Sequence, residues 1–264
     1  PDTHFPQSWA HVFVQTPVAA AREAADGVPR GPDMQIVMSS RHEAHPVPAF
    51  RLFSPEERDR DLHNDAAEMQ RRTERWDERV KRDGTHDRNL SMTPLLNHVM
   101  SRGSVTLRSA DPHDDPVIDL NLLGDANGED LEAMLFGLQT AIKISQQEPL
   151  ASVLGERIRP PESVIDDDDA LREYVRQACS TNWHYASSCR MGSLDDPMVV
   201  CDPRLRVRGV TGLRVADASI FPMQTSGNIN APSILAGEKG GALILEDWLE
   251  EVAPEAAADQ TARL

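Results

Sequence analysis

The sequence is poor in lysine, in cysteine and in aromatic side chains, and each shortage excludes something. Lysine occurs at Lys81, Lys143 and Lys239 only, and 43 acidic against 27 basic residues leave a formal charge of −16. A chain so charged repels the phosphates of nucleic acid and the headgroups of an anionic bilayer, so neither is an expected partner. The 3 cysteines, Cys179, Cys189 and Cys201, form no C-x-x-C pair and no Cys/His spacing suited to zinc. A disulfide framework and a structural metal are therefore not expected, and a reducing cytoplasm is the expected location. No apolar run approaches the ~18 residues of a membrane span. The opening Pro1-Asp2-Thr3-His4 has no basic region leading into an apolar core, so a secretory signal is not expected either. Also missing is a G-x-G-x-x-G turn after a strand, the mark of a dinucleotide-binding βαβ unit.

With 264 residues and 39% hydrophobic content, the chain can bury one sizeable core or two small ones. Trp9 to Val14 reads as a strand entered midway, without an initiating methionine before it, so the chain is expected to be the second part of something longer. Met34 to Met38 and Ser104 to Arg108 are short β-branched runs bounded by Gly, Pro, Ser or Asp and are predicted strands. Ser54-Pro55-Glu56-Glu57 is a capping box with proline at the first helical position, opening a charged helix that should end near Gly84. Its narrow seam of Leu62, Ala66, Met69, Trp76 and Val80 suits a surface helix docked on the sheet; a mobile lid is the other reading.

Glu129 to Gln147 is a predicted core helix, with Leu131, Met134, Leu135, Leu138 and Ile142 on one face and acidic residues at its start. The run Asp166-Asp167-Asp168-Asp169 precedes Leu171, Tyr174 and Val175, and caps a third helix more economically than it binds calcium, having no glycine turn or spaced ligand series. From residue 196 the texture changes: Val199-Val200, then Leu213 to Asp217, then a helix from about Ala231 to Glu250 read as strand, loop and helix of an α/β sheet. Pro254 onward reads as a frayed tail.

Two segments carry candidate chemistry. NWHYASSCRMG, Asn182 to Gly192, sets a histidine between two aromatics ahead of a Ser/Ser/Cys turn; a histidine so placed is as readily structural as catalytic. QTSGNINAP, Gln224 to Pro232, is a polar loop ending in proline at a helix's first turn, where the free N–H groups stabilise negative charge. Asn228 there is read either as a ligand group or as a turn residue beside Gly227.

Together these segments resemble the glucose-methanol-choline oxidoreductases, whose C-terminal part carries a His-x-x-Gly-Thr-Cys-Arg-Met-Gly stretch. VVCDPRLRVRGVTGLRVADASIFP, Val199 to Pro222, looks like that family's return into its flavin domain. SGNINAPSILAGEK, Ser226 to Lys239, looks like its final helix start, and SRGSVTLRSADPHDDPVIDLNLL, Ser101 to Leu123, with the PDMQIVM strand, looks like its substrate domain.

The resemblance implies an α+β architecture: a substrate-domain sheet covered by helices over 1–195, a C-terminal segment of an FAD-binding α/β domain over 196–252 whose N-terminal half is absent, and a flexible tail over 253–264. It implies FAD-dependent oxidation of an alcohol CH–OH group to a carbonyl. His184 would accept the hydroxyl proton, as an imidazole with a pKa near ~6.5 can, and Asn228 would orient the substrate oxygen. Asp217 and Ala218 would offer backbone groups to the pyrophosphate; Asn230, Ala231 and Pro232 would approach the pyrimidine side of the flavin. Arg190 and Cys189 would fix the turn that aims His184. Two departures stand out: Tyr185 where the family has proline, and Ser187-Ser188 where it has Gly-Thr. The expected partners are a small-molecule alcohol and a separate N-terminal FAD-binding chain, whose docking site should be an exposed apolar face. The other class of function is a non-catalytic binding module without flavin.

Overall fold

The computed structural model describes residues 10–41, 89–155, 157 and 159–252. The chain divides into two compact units, Pro1–Gly103 with Leu120–Asn182, and Ser104–Asp119 with Trp183–Leu264. The charged helix expected over 54–84 and the tail over 253–264 lie outside the described residues.

The first unit is built on an antiparallel sheet in the order β1 (Ala10–Val14), β2 (Met34–Arg41), β3 (Asn89–Leu96). The register pairs Ala10 with Met38 and Met34 with Leu96. Because side chains alternate across a sheet, Met34 and Ile36 share a face with Val12, Val14, Met92 and Leu96, and Ala141 of a covering helix completes this cluster. Met34 and Ile36 are wholly buried, each contributing on the order of 1.5–3 kcal/mol relative to exposure.

α1 (Pro17–Asp26) follows β1 at once: Thr16 caps it, Pro17 opens it, and Gly27 closes it at φ 68°, a conformation glycine adopts without cost. Asp33, at the entry to β2, accepts hydrogen bonds from Thr16 N–H and Oγ1–H, both at 2.7 Å, which pins the start of α1 beside the sheet. α2 (Glu129–Ser145) covers the sheet and ends two residues before the expected boundary. It lies close because Gly137 is bare: a Cβ there would stand 2.8 Å from Met34 Sδ and 2.9 Å from Pro94 Cβ. The carboxylate of Asp125 accepts from Glu129 N–H and Asp130 N–H at its start. Buried Asp130 in turn accepts from Met100 N–H, Ser101 N–H and Ser101 Oγ–H. α3 (Asp168–Ala178) packs Leu171 on Leu135 and Ile142 of α2, and Asp167 caps it by accepting from Asp169 N–H and Ala170 N–H, the capping role expected of the acidic run.

The second unit holds a two-stranded antiparallel ribbon, β4 (Ser104–Thr106) and β5 (Val117–Asp119), exposed along its length, and the long helix α4 (Asn230–Val252). Between them the chain is almost all turns. The strand expected at Val199-Val200 does not form, and this stretch holds only single bridges, Met191 with Cys201, Cys201 with Val207 and Arg206 with Arg214. The reason is local. Gly209 and Gly212, at φ 75° and 73°, fold residues 205–215 into a hairpin held by Val207 N–H to Leu213 O and Val215 N–H to Leu205 O. Two residues past Val215, Asp217 diverts the chain into a 3-10 turn, Ala218–Ile220. The core here is small: Leu205, Ile220, Ala236 and Leu243, flanked by Met191, Val215, Ala216 and Phe221. Cys201 is wholly buried, and burial pushes its thiol up. Among the described residues no helix is long and apolar enough to cross a membrane.

Candidate functional site

Every candidate catalytic or cofactor-binding residue named from the sequence falls in the second unit. The His184 segment is an extended run bracketed by two backbone reversals, Trp183 at φ 57° and Ser187 at φ 73°. A left-handed conformation is uncommon for a bulky residue such as tryptophan and is retained when the surroundings impose it.

Downstream of the second reversal the segment is laced to the 3-10 turn. Ser187 N–H donates to Ala218 O (3.3 Å), Cys189 N–H to Ser219 O (2.9 Å) and Met191 N–H to Ile220 O (2.8 Å). Arg190 braces the same stretch. Its guanidinium meets Asp196 at 2.8 Å, and its carbonyl accepts from Val200 N–H and Cys201 N–H. The turn is thus fixed from both sides of the chain.

His184 itself is half-buried, and its Nε2 is shielded from water with no hydrogen-bond partner among the described residues. An unsatisfied buried polar atom costs on the order of 1–3 kcal/mol and demands an explanation. Both flanking rings, Trp183 and Tyr185, are exposed.

Asp217 spends its carboxylate locally, accepting from Ser219 N–H and Ser219 Oγ–H. The carbonyls of Asp217 and Ala218 are also engaged, by Ile220 N–H and by Ser187 N–H and Phe221 N–H. Their N–H groups donate to nothing among the described residues. What this corner offers a ligand is donors, which suits an anion such as a phosphate.

In the polar loop, Thr225 Oγ1–H donates to Gly227 O, and the first turn of α4 is tied by Ser233 N–H and Oγ–H to Ile229 O. Asn228, Asn230 and Ala231 are exposed and Pro232 is half-buried. The leading N–H groups of a helix of 23 residues converge here with the positive end of its dipole. The structure therefore brings the His184 stretch together with Asp217 and Ala218 through the backbone ladder. Among the described residues no hydrogen bond joins His184 to Asn228. No group of three metal-ligating side chains is found among them either.

One feature escaped the sequence reading. Asp247, on the C-terminal half of α4, is gripped by Arg206 (2.8 Å), Arg204 (2.5 Å) and Arg214, and Arg204 also reaches Glu246. These guanidiniums, Arg206 first, hold the Asp247 carboxyl well below the usual carboxylate range. The latch ties α4 to the 205–215 hairpin and so fixes the direction in which its N-terminal end points. The alternation of Arg204 and Arg206 with apolar Leu205 and Val207 was the available signal; their partner lies some forty residues downstream, beyond the reach of a local pattern.

The family model for GMC oxidoreductase matches residues 100–237, more than half of the chain. A GMC-type oxidoreductase of Mycobacterium tuberculosis is 49% identical over 152 residues, 57% of this chain and 28% of the relative. Choline oxidase of Arthrobacter globiformis is 38% identical over 160 residues, 61% of this chain and 29% of that enzyme. The chain thus spans less than a third of the length of the curated relatives it matches. Among solved structures, a fungal aryl-alcohol oxidase is similar with a TM-score of 0.53 at 29% identity, over 61% of this chain and 25% of that one. The formate oxidase of Aspergillus oryzae shares the fold, with a TM-score of 0.63 at 24% identity, over 89% of this chain and 37% of that one. The His184 turn and the Asn228 loop both lie inside the matched stretch, and the chain belongs to the GMC oxidoreductase family.

Proposed function

We propose that the chain is the C-terminal part or subunit of an FAD-dependent oxidoreductase that converts an alcohol CH–OH group to a carbonyl, with His184 as base and Asn228 as orienting partner. The observation that carries this reading is the buried Nε2 of His184, which has no hydrogen-bond partner among the described residues. A ring nitrogen kept from water and left without a protein partner is suited to exchange a proton with a ligand.

The residues at hand fit an FAD. The unengaged N–H groups of Asp217 and Ala218 would face its pyrophosphate. Asn230, Ala231 and Pro232, at the positive end of α4, would hold the pyrimidine side, where that end favours negative charge. Bound there, the flavin supplies a hydride acceptor.

The remaining chemistry is the chain's own. Asn228 donates an amide N–H to the substrate oxygen and orients it without competing for the proton, because an amide does not titrate. Neutral His184 takes the hydroxyl proton at Nε2 and holds it as imidazolium while the carbon is oxidised. Arg190, with Asp196, keeps the turn rigid enough for that nitrogen to meet the hydroxyl. The substrate is a small alcohol, a class that includes choline. The division into a substrate-domain part over 1–195, a flavin-domain segment over 196–252 and a tail over 253–264 belongs to the same proposal, as do a cytoplasmic setting and completion of the site by an N-terminal FAD-binding chain.

The test is a visible absorption spectrum and FAD titration of the chain assembled with a flavin-binding remainder, for the parent and for His184→Ala. We expect equal flavin occupancy in both and a loss of turnover of roughly 10²–10⁴-fold in the variant. Intact turnover in His184→Ala would remove the histidine from the chemistry. Failure of both assemblies to bind flavin would leave a non-catalytic binding module as the better description.

A further inference from the structure

We propose that Ser187 is a positioning residue for His184: its side chain confines the left-handed turn from which the base projects. The proposal deepens the reading above that His184 takes the substrate proton, and it rests on that reading.

The segment that carries the base is held at its ends. His184, Tyr185 and Ala186 neither give nor accept a backbone-to-backbone hydrogen bond among the described residues. The first rung of the ladder beyond them is Ser187 N–H to Ala218 O at 3.3 Å, followed by Cys189 N–H to Ser219 O at 2.9 Å. The direction in which these three residues leave the ladder is therefore set by the torsions of Ser187, at φ 73°. At the far end it is set by those of Trp183, at φ 57°.

The residue type at position 187 decides how sharply that direction is defined. A residue with a Cβ has only a small left-handed well, walled by contacts of the Cβ with the backbone. Glycine lacks those walls and populates positive and negative φ about equally. Ser187 is strained where glycine would be relaxed, and it is confined where glycine would wander. Such strain persists when the surroundings impose it, as the rungs to Ala218 and Ser219 do here.

Leverage makes the confinement matter. Three extended residues span about 10 Å, so a swing of about 6° at Ser187 displaces the His184 backbone by about 1 Å. A misplacement of that size costs up to about 10²-fold in rate. The composition of the stretch agrees: Tyr185 stands where the family pattern has proline and Ser187 where it has glycine. The stiffness lost with the proline ring returns two residues on as a Cβ.

The experiment compares the parent with Ser187→Gly, Ser187→Asn and the double variant Tyr185→Pro/Ser187→Gly. Amide ¹⁵N order parameters are read in the full chain, and kcat, KM and Tm in the enzyme assembled with a flavin-binding remainder. In Ser187→Gly we expect the order parameters of His184 and Ala186 to fall from about 0.85 towards 0.6. Its kcat should drop roughly tenfold with KM within about twofold of the parent, while Tm holds or rises because the strain is gone. Asparagine keeps a Cβ and tolerates the left-handed region, so Ser187→Asn should match the parent in order and in kcat. Proline at 185 removes no rung, since the Tyr185 N–H donates to no backbone acceptor among the described residues; the double variant should recover both quantities. Unchanged order parameters or unchanged kcat in Ser187→Gly, a Tm that falls in step with kcat, or a Ser187→Asn that behaves like the glycine variant would each overturn the inference. A parent that binds flavin without turning over would sink the proposed function, while the order parameters would still decide whether Ser187 confines the turn.

Discussion

The two units solve the same problem, holding a helix against a short β scaffold, by different means. In the first, α2 lies on a three-stranded sheet, and its closest approach is set by Gly137 pressed over Met34 and Pro94. In the second, α4 touches a core of four buried residues and is held as much by Asp247 and three arginines as by apolar contact. Both units leave apolar side chains exposed, Phe13 and Val153 in the first and Leu245 and Trp248 in the second among them, but the second carries every candidate catalytic residue. Rigidity of the chemical groups there comes from backbone ladders and ion pairs, since burial is scarce.

The comparison can be broken at several points. Its largest consequence is that His184→Ala, which removes no core contact, should abolish turnover in the assembled enzyme while the thermal midpoint stays near that of the parent, read by kinetics and calorimetry together. Ile36→Ala should do the opposite, lowering unfolding free energy by about 2–5 kcal/mol through a cavity in the first unit; an equal loss of flavin binding at unchanged stability would contradict the division of labour. Gly137→Ala should destabilise by roughly 1–3 kcal/mol despite better helix propensity, because Pro94 cannot swing aside. Gly237→Ala, where no described atom lies within 4 Å of the added Cβ, should instead stabilise the isolated chain by about 1 kcal/mol; denaturant melts of the pair with the same sign would remove the contrast.

The smallest effect is in acid. Asp247 is held below the usual carboxylate range chiefly by Arg206, so the stability it contributes is present above the unfolded carboxyl pKa and is lost as pH falls through and below that value. Asp247→Asn should lower the midpoint of the second unit at neutral pH and flatten its decline below about pH 4. The first unit, whose sheet and α2 meet through apolar contacts, should show neither change by hydrogen exchange.

These differences also explain what could be read from the sequence. The helices α2, α3 and α4, the strand at Met34 and the cap at Asp167 declare themselves through periodicity and end signals within a dozen residues. α1 and β3 did not. The first is a short alanine-rich helix whose start depends on Asp33, seventeen positions from its cap Thr16, and the second is interrupted by Pro94, which reads as a breaker although it sits across from Ile36. The strand expected at 199 failed because the paired glycines of the hairpin outweighed the valines around them. At the site, the resemblance pointed to His184 and Asn228. The ladder behind the His184 turn and the Asp247 latch join residues roughly thirty to forty apart in sequence and become visible only when the chain is folded.

The fate of the three thiols has a practical corollary. Cys201 is wholly buried and protonated, whereas Cys189 is half-buried on the very ladder that ties the His184 turn to the 3-10 segment. In a Cys179→Ser background, a small fluorescent maleimide would therefore label Cys189 ahead of Cys201 and place a built-in reporter five residues from His184. Its emission would record the arrival of a cofactor or a partner in real time, without a substrate and without waiting for turnover.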